Sequence, residues 1–359
     1  MTRKLWFQVG IGILISLFII KYIVDVNWIF SPILIVAKTI FLPLLLGGVL
    51  FYITVPIQTF LEKQKIPRWG SISIIFVTLI GLLWVAVSII GPLITEQVNN
   101  LIENTPAIVQ ETNNLIMELL RQAGDLPKWV DKEIEKATDS ISTITSQFGI
   151  WIVTFFQSVI QGTLILVLTP FFLFFMLKDH EKFLPAVTKF FSGETKKWVH
   201  KTFSDIDDVL SLYIRGQILI SSILAIMLFI GYYFIGLNFA LLLAVFAFFM
   251  NVIPFIGPWI AFIPALLIAF FQDPIMVVWV SLITLVAQQT DANLITPNIM
   301  GKTLNIHPLT IITVLLAAGK IAGLLGILLA VPGYAVGKAI VSNLYEKRLA
   351  IRKAANKTI

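Results

Sequence analysis

The sequence predicts an all-α polytopic membrane protein, and three observations carry that prediction. The 359 residues are 58% hydrophobic and only 13% charged, with a mean hydropathy of +0.92, whereas a soluble globular chain is about half apolar and about a quarter charged. Long windows hold no Asp, Glu, Lys or Arg, 71–93 and 218–271 among them. Stretches of that length read as bilayer spans or as packed pairs of half-spans. The windows are continuously apolar rather than alternating, which argues against a transmembrane β-barrel.

Composition also excludes function classes. With no cysteine, disulfides, thiolate metal sites and cysteine nucleophiles are ruled out. The three histidines are scattered, so no metal site is expected. No G-x-S-x-G, H-E-x-x-H or Walker A pattern occurs, so neither an enzyme nor a cofactor is predicted. Without an ATP-binding loop, any pumping is driven by an ion gradient or runs downhill. The net charge of +6 reads as basic residues collected in cytoplasmic loops, not as a nucleic-acid surface.

Residues 1–4 carry Arg3 and Lys4 ahead of an apolar stretch, 5–24. Its core is long and no small-x-small cleavage site precedes Lys21, so it reads as a retained first span rather than a signal peptide. The second span is 32–57. Lys38 inside it snorkels or faces the bundle, and Pro43 and Pro56 predict kinks because each removes a backbone donor. A basic turn, 62–68, leads to a third span, 69–91, completing an N-terminal membrane unit, 1–92.

The segment 93–148 is hydrophilic, with nine acidic residues against four basic ones. Leu101, Ile108, Leu115, Leu119, Ile141, Ile144 and Phe148 recur at helical spacing, so amphipathic helices outside the bilayer are expected, broken near Gly124 and Pro127. Their apolar stripe is read as covering the protein's own bundle or pairing with a neighbouring subunit, in preference to binding another partner or lying on the membrane. A C-terminal membrane core, 149–345, follows. It opens with a Phe-rich fourth span, 149–177, then a charged segment, 178–208, read as one or two cytoplasmic surface helices, then a fifth span, 209–237.

From residue 238 the pattern changes. The apolar stretch 238–251 reaches only about 21 Å as a helix, short of the roughly 30 Å hydrocarbon core. It stops at Pro254, Gly257 and Pro258, which regular helix does not tolerate so close together. A second short arm, 259–271, and a third, 274–287, follow. The last apolar region, 309–337, is too long for one straight span and is interrupted by Lys320. It reads as a second broken hairpin whose glycines and alanines permit close approach. The tail, 346–359, is basic and solvated. Seventeen Lys and Arg fall on the side of both termini and five on the side of the 93–148 insertion, so the termini are expected in the cytoplasm and the insertion outside.

Two constellations are candidates for chemistry. At Asn251, Pro254, Gly257 and Pro258 the chain leaves helix at membrane depth, which is tolerated only inside protein or along a watery cavity. Such breaks free carbonyls and helix N-termini that bind ions or polar solutes, or they serve as a hinge or packing corner with no ligand. The second is the polar run 288–302. On a continuing helix Gln288 shares a face with Asp291, and Gln289 with Asn293. That places one carboxylate among amides, with Thr296 beyond, suited to a small cation, a proton or a hydroxylated solute. The other reading is a solvated cap at the inner membrane surface. Pro297 is expected to end this helix. Asp291 is the only carboxylate between Asp273 and Glu346, and Lys320 is expected to pair with it or with a helix C-terminus. Gly301, Lys302, His307, Pro308 and Arg215 are assigned to a hinge or gate. His307 either titrates near neutral pH or acts as a loop donor.

Pro254-Phe255-Ile256-Gly257-Pro258, Ile263-Pro264-Ala265, Gln288-Gln289, Asn293-Leu294-Ile295-Thr296-Pro297, Ile299-Met300-Gly301-Lys302, His307-Pro308-Leu309, Ala330-Val331-Pro332 and Tyr213-Ile214-Arg215-Gly216-Gln217 together resemble the autoinducer-2 exporter family of bacterial permeases, over essentially the whole chain. The resemblance implies about eight membrane helices in a bacterial plasma membrane. It also implies export of autoinducer-2 or another small solute, or sodium or lithium/proton antiport as in some relatives. Where the family usually has Glu-Gly this chain has Asp291-Ala292, a shorter carboxylate and a lost glycine. The expected partners are the lipid bilayer, a small polar solute and/or a monovalent cation or proton, and further copies of the chain. A non-transporting membrane scaffold that binds partners through the insertion is the competing class.

Overall fold

The computed structural model describes residues 5–25, 27–100, 103, 150–151, 154–155, 163–301 and 306–357. Most of the 93–148 insertion, with the apolar stripe expected there, lies outside the described residues, as does Lys302. The described residues form helices and turns, with no strand among them. Five of these helices are long and apolar enough to cross a membrane, at Ser31–Lys63, Arg68–Asn100, Gly193–Phe234, Pro274–Met300 and Pro308–Leu349, and three shorter apolar helices accompany them.

The chain divides into two compact units. The first comprises Met1–Phe51 and Gly162–Leu177. It contains α1 (Leu5–Asp25), the first part of α2 (Asn27–Lys63) and the first part of α4 (Thr163–Thr188). The 21 residues of α1 reach about 32 Å, enough for the hydrocarbon core. α2 continues through Pro32, Pro43 and Pro56, and Lys38 lies exposed on it. α2 and α4 touch where Gly47 leaves room: a Cβ there would sit 2.9 Å from Phe172 Cβ.

The second unit comprises Tyr52–Gln161 and Lys178–Ile359 and is organised around α5 (Gly193–Phe234), 42 residues long. Its polar first half carries the charged segment 178–208 together with the end of α4. That segment is therefore the shared ends of two long helices joined at 189–192. The C-terminal helix α10 (Pro308–Lys357) returns to this end. Trp198 Nε1 donates to the Asn343 carbonyl (3.1 Å), Asn343 Nδ2 donates to Asp205 Oδ2 (2.8 Å), and Lys201 pairs with Glu346. α3 (Arg68–Val85) starts at the same end, where Arg68 Nη1 donates to Glu181 Oε2 at 2.7 Å. A π-helical turn (Ala86–Ile90) then carries the helix through Pro92 to Asn100, beyond the expected end at Gly91.

The apolar half of α5 leads to the first broken hairpin, α6 (Ala240–Met250) and α7 (Gly257–Gln272). At about 17 Å and 24 Å neither crosses the core alone. The open end is tied shut: Gln272 Nε2 donates to the Gly236 carbonyl (2.7 Å), and Asn238 N donates to Gln272 Oε1 (2.8 Å). The hairpin thus enters and leaves on one side, the side where Gln97 of α3 accepts the Leu242 N–H at 3.0 Å. Its tip, 251–256, is irregular as expected from Pro254 and Pro258. The return is so tight that a Cβ on Gly257 would sit 1.9 Å from the Met250 carbonyl oxygen.

α8 (Pro274–Thr290), a second π-helical turn (Asp291–Ile295) and α9 (Thr296–Met300) form one continuous run. α10 leaves helical geometry at Ala322 and Gly323, where Gly323 has φ +58°. The two arms press together there: a Cβ on Gly326 would sit 2.0 Å from the Ala318 carbonyl oxygen, and one on Gly319 would sit 3.1 Å from Ile327. The expected second broken hairpin is therefore present, and its small residues permit the contact.

Candidate functional site

The two constellations expected from sequence meet on one stretch of α5, residues 213–221. Tyr213, Gln217 and Ser221 stand four apart, so they share one face. Against that face lies the tip of the first hairpin. As the chain leaves α6, the Asn251 carbonyl loses its helical partner, and Gln217 Nε2 supplies one at 2.6 Å. One residue earlier, Gly216 makes room for α9: a Cβ there would sit 3.1 Å from Met300 and 3.3 Å from Ile299. α5 therefore holds the hairpin tip and the end of the polar run at the same level.

This junction is polar inside an apolar body. Relative exposures are 3% for Asn251, 6% for Tyr213, 8% for Gln217 and 0% for Ser221. Among the described residues nothing pairs with the Tyr213 hydroxyl, the Ser221 hydroxyl or either side-chain atom of Asn251. A buried polar atom without a partner costs about 1–3 kcal/mol. A cluster of them is retained where strain, a ligand or water gives it a use.

The polar run behaves differently. Pro297 does not end the helix, contrary to the sequence expectation. It occupies the first turn of α9, and the helix stops only at Gly301, whose φ of +57° breaks it. The π-helical turn is the physical reason. The Thr296 N–H reaches back to the Asp291 carbonyl, and this wider turn accommodates the proline ring that would otherwise strike the preceding turn. The same turn lets Thr296 Oγ1 donate to Asp291 Oδ1 at 2.7 Å, across five residues. Asp291 is half-buried, while Gln289 and Asn293 are exposed. Asn293 Nδ2 donates to the Gln289 carbonyl (2.9 Å) and to its Oε1 (3.2 Å), the shared face expected from their spacing. Gln288 lies half-buried on the preceding turn.

The other candidate residues fall elsewhere. Lys320 is exposed and sits in the last turn before the Ala322–Gly323 break. No ion pair joins it to Asp291 among the described residues. His307 is exposed, and its Nδ1 accepts the Leu309 N–H at 3.2 Å, capping α10 at Pro308. With Nδ1 accepting, the neutral ring carries its proton on Nε2, which keeps a donor. Arg215 Nε donates to the Tyr52 carbonyl at 2.6 Å, the carbonyl that Pro56, four residues on, has no N–H to satisfy. The Tyr52 hydroxyl donates to Asp207 Oδ1 at 2.9 Å.

Sequence reasoning did not single out Tyr213, Gln217 and Ser221 as site residues. The available signal was the recurrence of Tyr213, Gln217 and Ser221 at every fourth position in a mostly apolar span.

A family model described as AI-2E family transporter matches residues 11–346. "Putative transport protein YueF" of Bacillus subtilis is 35% identical over 343 residues, covering 92% of this chain and 91% of that protein. "Putative transport protein YrrI" of the same organism is 30% identical over 344 residues, covering 96% and 97%. "Putative permease PerM" of Escherichia coli is 28% identical over 310 residues, covering 83% and 86%. With its long apolar helices and two broken hairpins, this multi-pass membrane protein belongs to the AI-2E family of transporters.

Proposed function

We propose that the protein is a secondary transporter that exports a small polar solute, autoinducer-2 being one candidate, across a bacterial plasma membrane. Both termini lie in the cytoplasm, several copies of the chain assemble together, and no catalytic step is involved. One observation carries this reading. Asn251 at the tip of a broken hairpin, and Tyr213 and Ser221 on the α5 face whose Gln217 bonds that tip, hold unpaired polar atoms inside the apolar body. Irregular backbone lined by polar groups at membrane depth is the arrangement that secondary transporters use to bind their cargo. The tip lines the route, and Gln288, Gln289, Asp291 and Asn293 engage solute or coupling ion beside it. Lys320 responds to the charge at Asp291 in this reading.

A monovalent cation/proton antiporter is the second reading, favoured by Asp291. Its carboxylate is half-buried, bonded to the Thr296 hydroxyl, and has no ion-pair partner among the described residues. A proton and a cation compete naturally at such a group. Purified protein in proteoliposomes separates the two. Sodium- or lithium-dependent proton movement abolished by Asp291→Asn identifies the antiporter. Flux of labelled autoinducer-2 without cation-dependent proton movement identifies the exporter. No flux of either kind sinks both readings, and a phenotype removed by deleting 93–148 then identifies a scaffold.

A further inference from the structure

The Tyr213–Gln217–Ser221–Asn251 cluster contains no charged side chain, although every member is more than nine-tenths buried. We infer that it is a binding site for a small uncharged solute that both donates and accepts hydrogen bonds, separate from the carboxylate of Asp291. The Asn251 carboxamide offers two N–H donors and a carbonyl acceptor, and neither of its polar atoms has a protein partner. The Tyr213 and Ser221 hydroxyls, likewise unpartnered, each donate or accept as the ligand requires. The C-terminus of α6 and the N-terminus of α7 meet at this tip, so their opposite partial charges lie side by side and leave little net field for an ion. An ion buried here would lose its hydration without finding a counter-charge, which is strongly disfavoured. The charged residues of the neighbouring turns are not members of the cluster: Arg215 Nε is bonded to the Tyr52 carbonyl, and Asp291 Oδ1 accepts from Thr296 on the π-helical turn. The inference rests on the transporter reading only in that a solute must reach this site and leave it.

The chain has no cysteine, so Ser221→Cys introduces the only thiol into the full-length protein. In proteoliposomes that thiol is treated with three methanethiosulfonates of similar size: neutral hydroxyethyl, cationic aminoethyl and anionic sulfonatoethyl. Leu219→Cys, on the exposed side of the same helix (50% exposed), sets the rate reached through lipid. The neutral reagent is expected to label the Ser221→Cys thiol about tenfold or more faster than either charged one, and faster than it labels the control. Equal or faster labelling by a charged reagent, or labelling no faster than the control, overturns the site. If Ser221→Cys does not elute as folded protein, Asn251→Cys is judged by the same criteria. Wild-type flux is measured in parallel. Flux with a sealed thiol removes the site and leaves the transport reading standing; neutral labelling without flux supports the site and removes that reading.

Discussion

Gly257 shows how little freedom the hairpin tip has. Its missing side chain is what allows α7 to start directly against the last carbonyl of α6, 1.9 Å from where a Cβ would be. Gly257→Ala is therefore expected to cost about 1–3 kcal/mol or more through overpacking. Gly333→Ala, with nothing within 4 Å of its Cβ, is expected to be neutral or to stabilise α10 by up to about 1 kcal/mol. Thermal unfolding of the two purified variants checks the contrast; equal melting temperatures would refute it. At the polar end of α3, the hydrogen bond from Arg68 holds the Glu181 carboxyl below the usual carboxylate range. A lowered folded-state value means that the contribution is fully present above the ordinary glutamate value and is lost as pH falls through the lowered one. Glu181 is largely exposed, so Glu181→Gln is expected to cost less than about 1 kcal/mol. The gap between variant and wild type should close on acidification; a gap that widens in acid would show the sign to be wrong.

At the scale of elements, prolines and the devices that accommodate them shape the chain. Two helices pass through a proline on a π-helical turn that ends two residues before it: Ala86–Ile90 before Pro92 and Asp291–Ile295 before Pro297. In α2 the solution is a side chain, because Arg215 supplies the donor that Pro56 withholds from the Tyr52 carbonyl. Arg215→Leu is expected to cost about 1–3 kcal/mol by removing that donor. Pro56→Ala restores an N–H four residues on, so part of the loss should return in the double variant. A double-mutant cycle on unfolding measures the coupling, and strictly additive effects would rule it out. The sequence indicated where helices were under stress, since a missing donor is a local property of proline. It did not indicate whether a given proline ends a helix, as expected of Pro297, or is absorbed by a wider turn.

At the scale of the whole molecule, the charged ends of α3, α4, α5 and α10 gather on one side of the second unit. Gln97, Asn238 and Gln272 gather at the other. The proposed orientation places the first group in the cytoplasm. Single thiols at Lys197→Cys and Lys338→Cys are accordingly expected to resist an impermeant maleimide added to intact cells, while Asn100→Cys and Asn238→Cys react. The reverse pattern would invert the topology, and a mixed one would break the hairpin assignments.

The sequence by itself determined that the chain lives in a bilayer and where two hairpins break. Each depends on a property carried by consecutive residues: apolar length, a missing amide donor, or a residue without a Cβ. Only the tertiary structure decided that Gln217 reaches Asn251 across 34 positions, that Gly216 seats α9, and that Lys320 is exposed. Those pairings depend on which helix faces come together, and a polar residue in an apolar span looks the same in sequence whichever way its helix is turned.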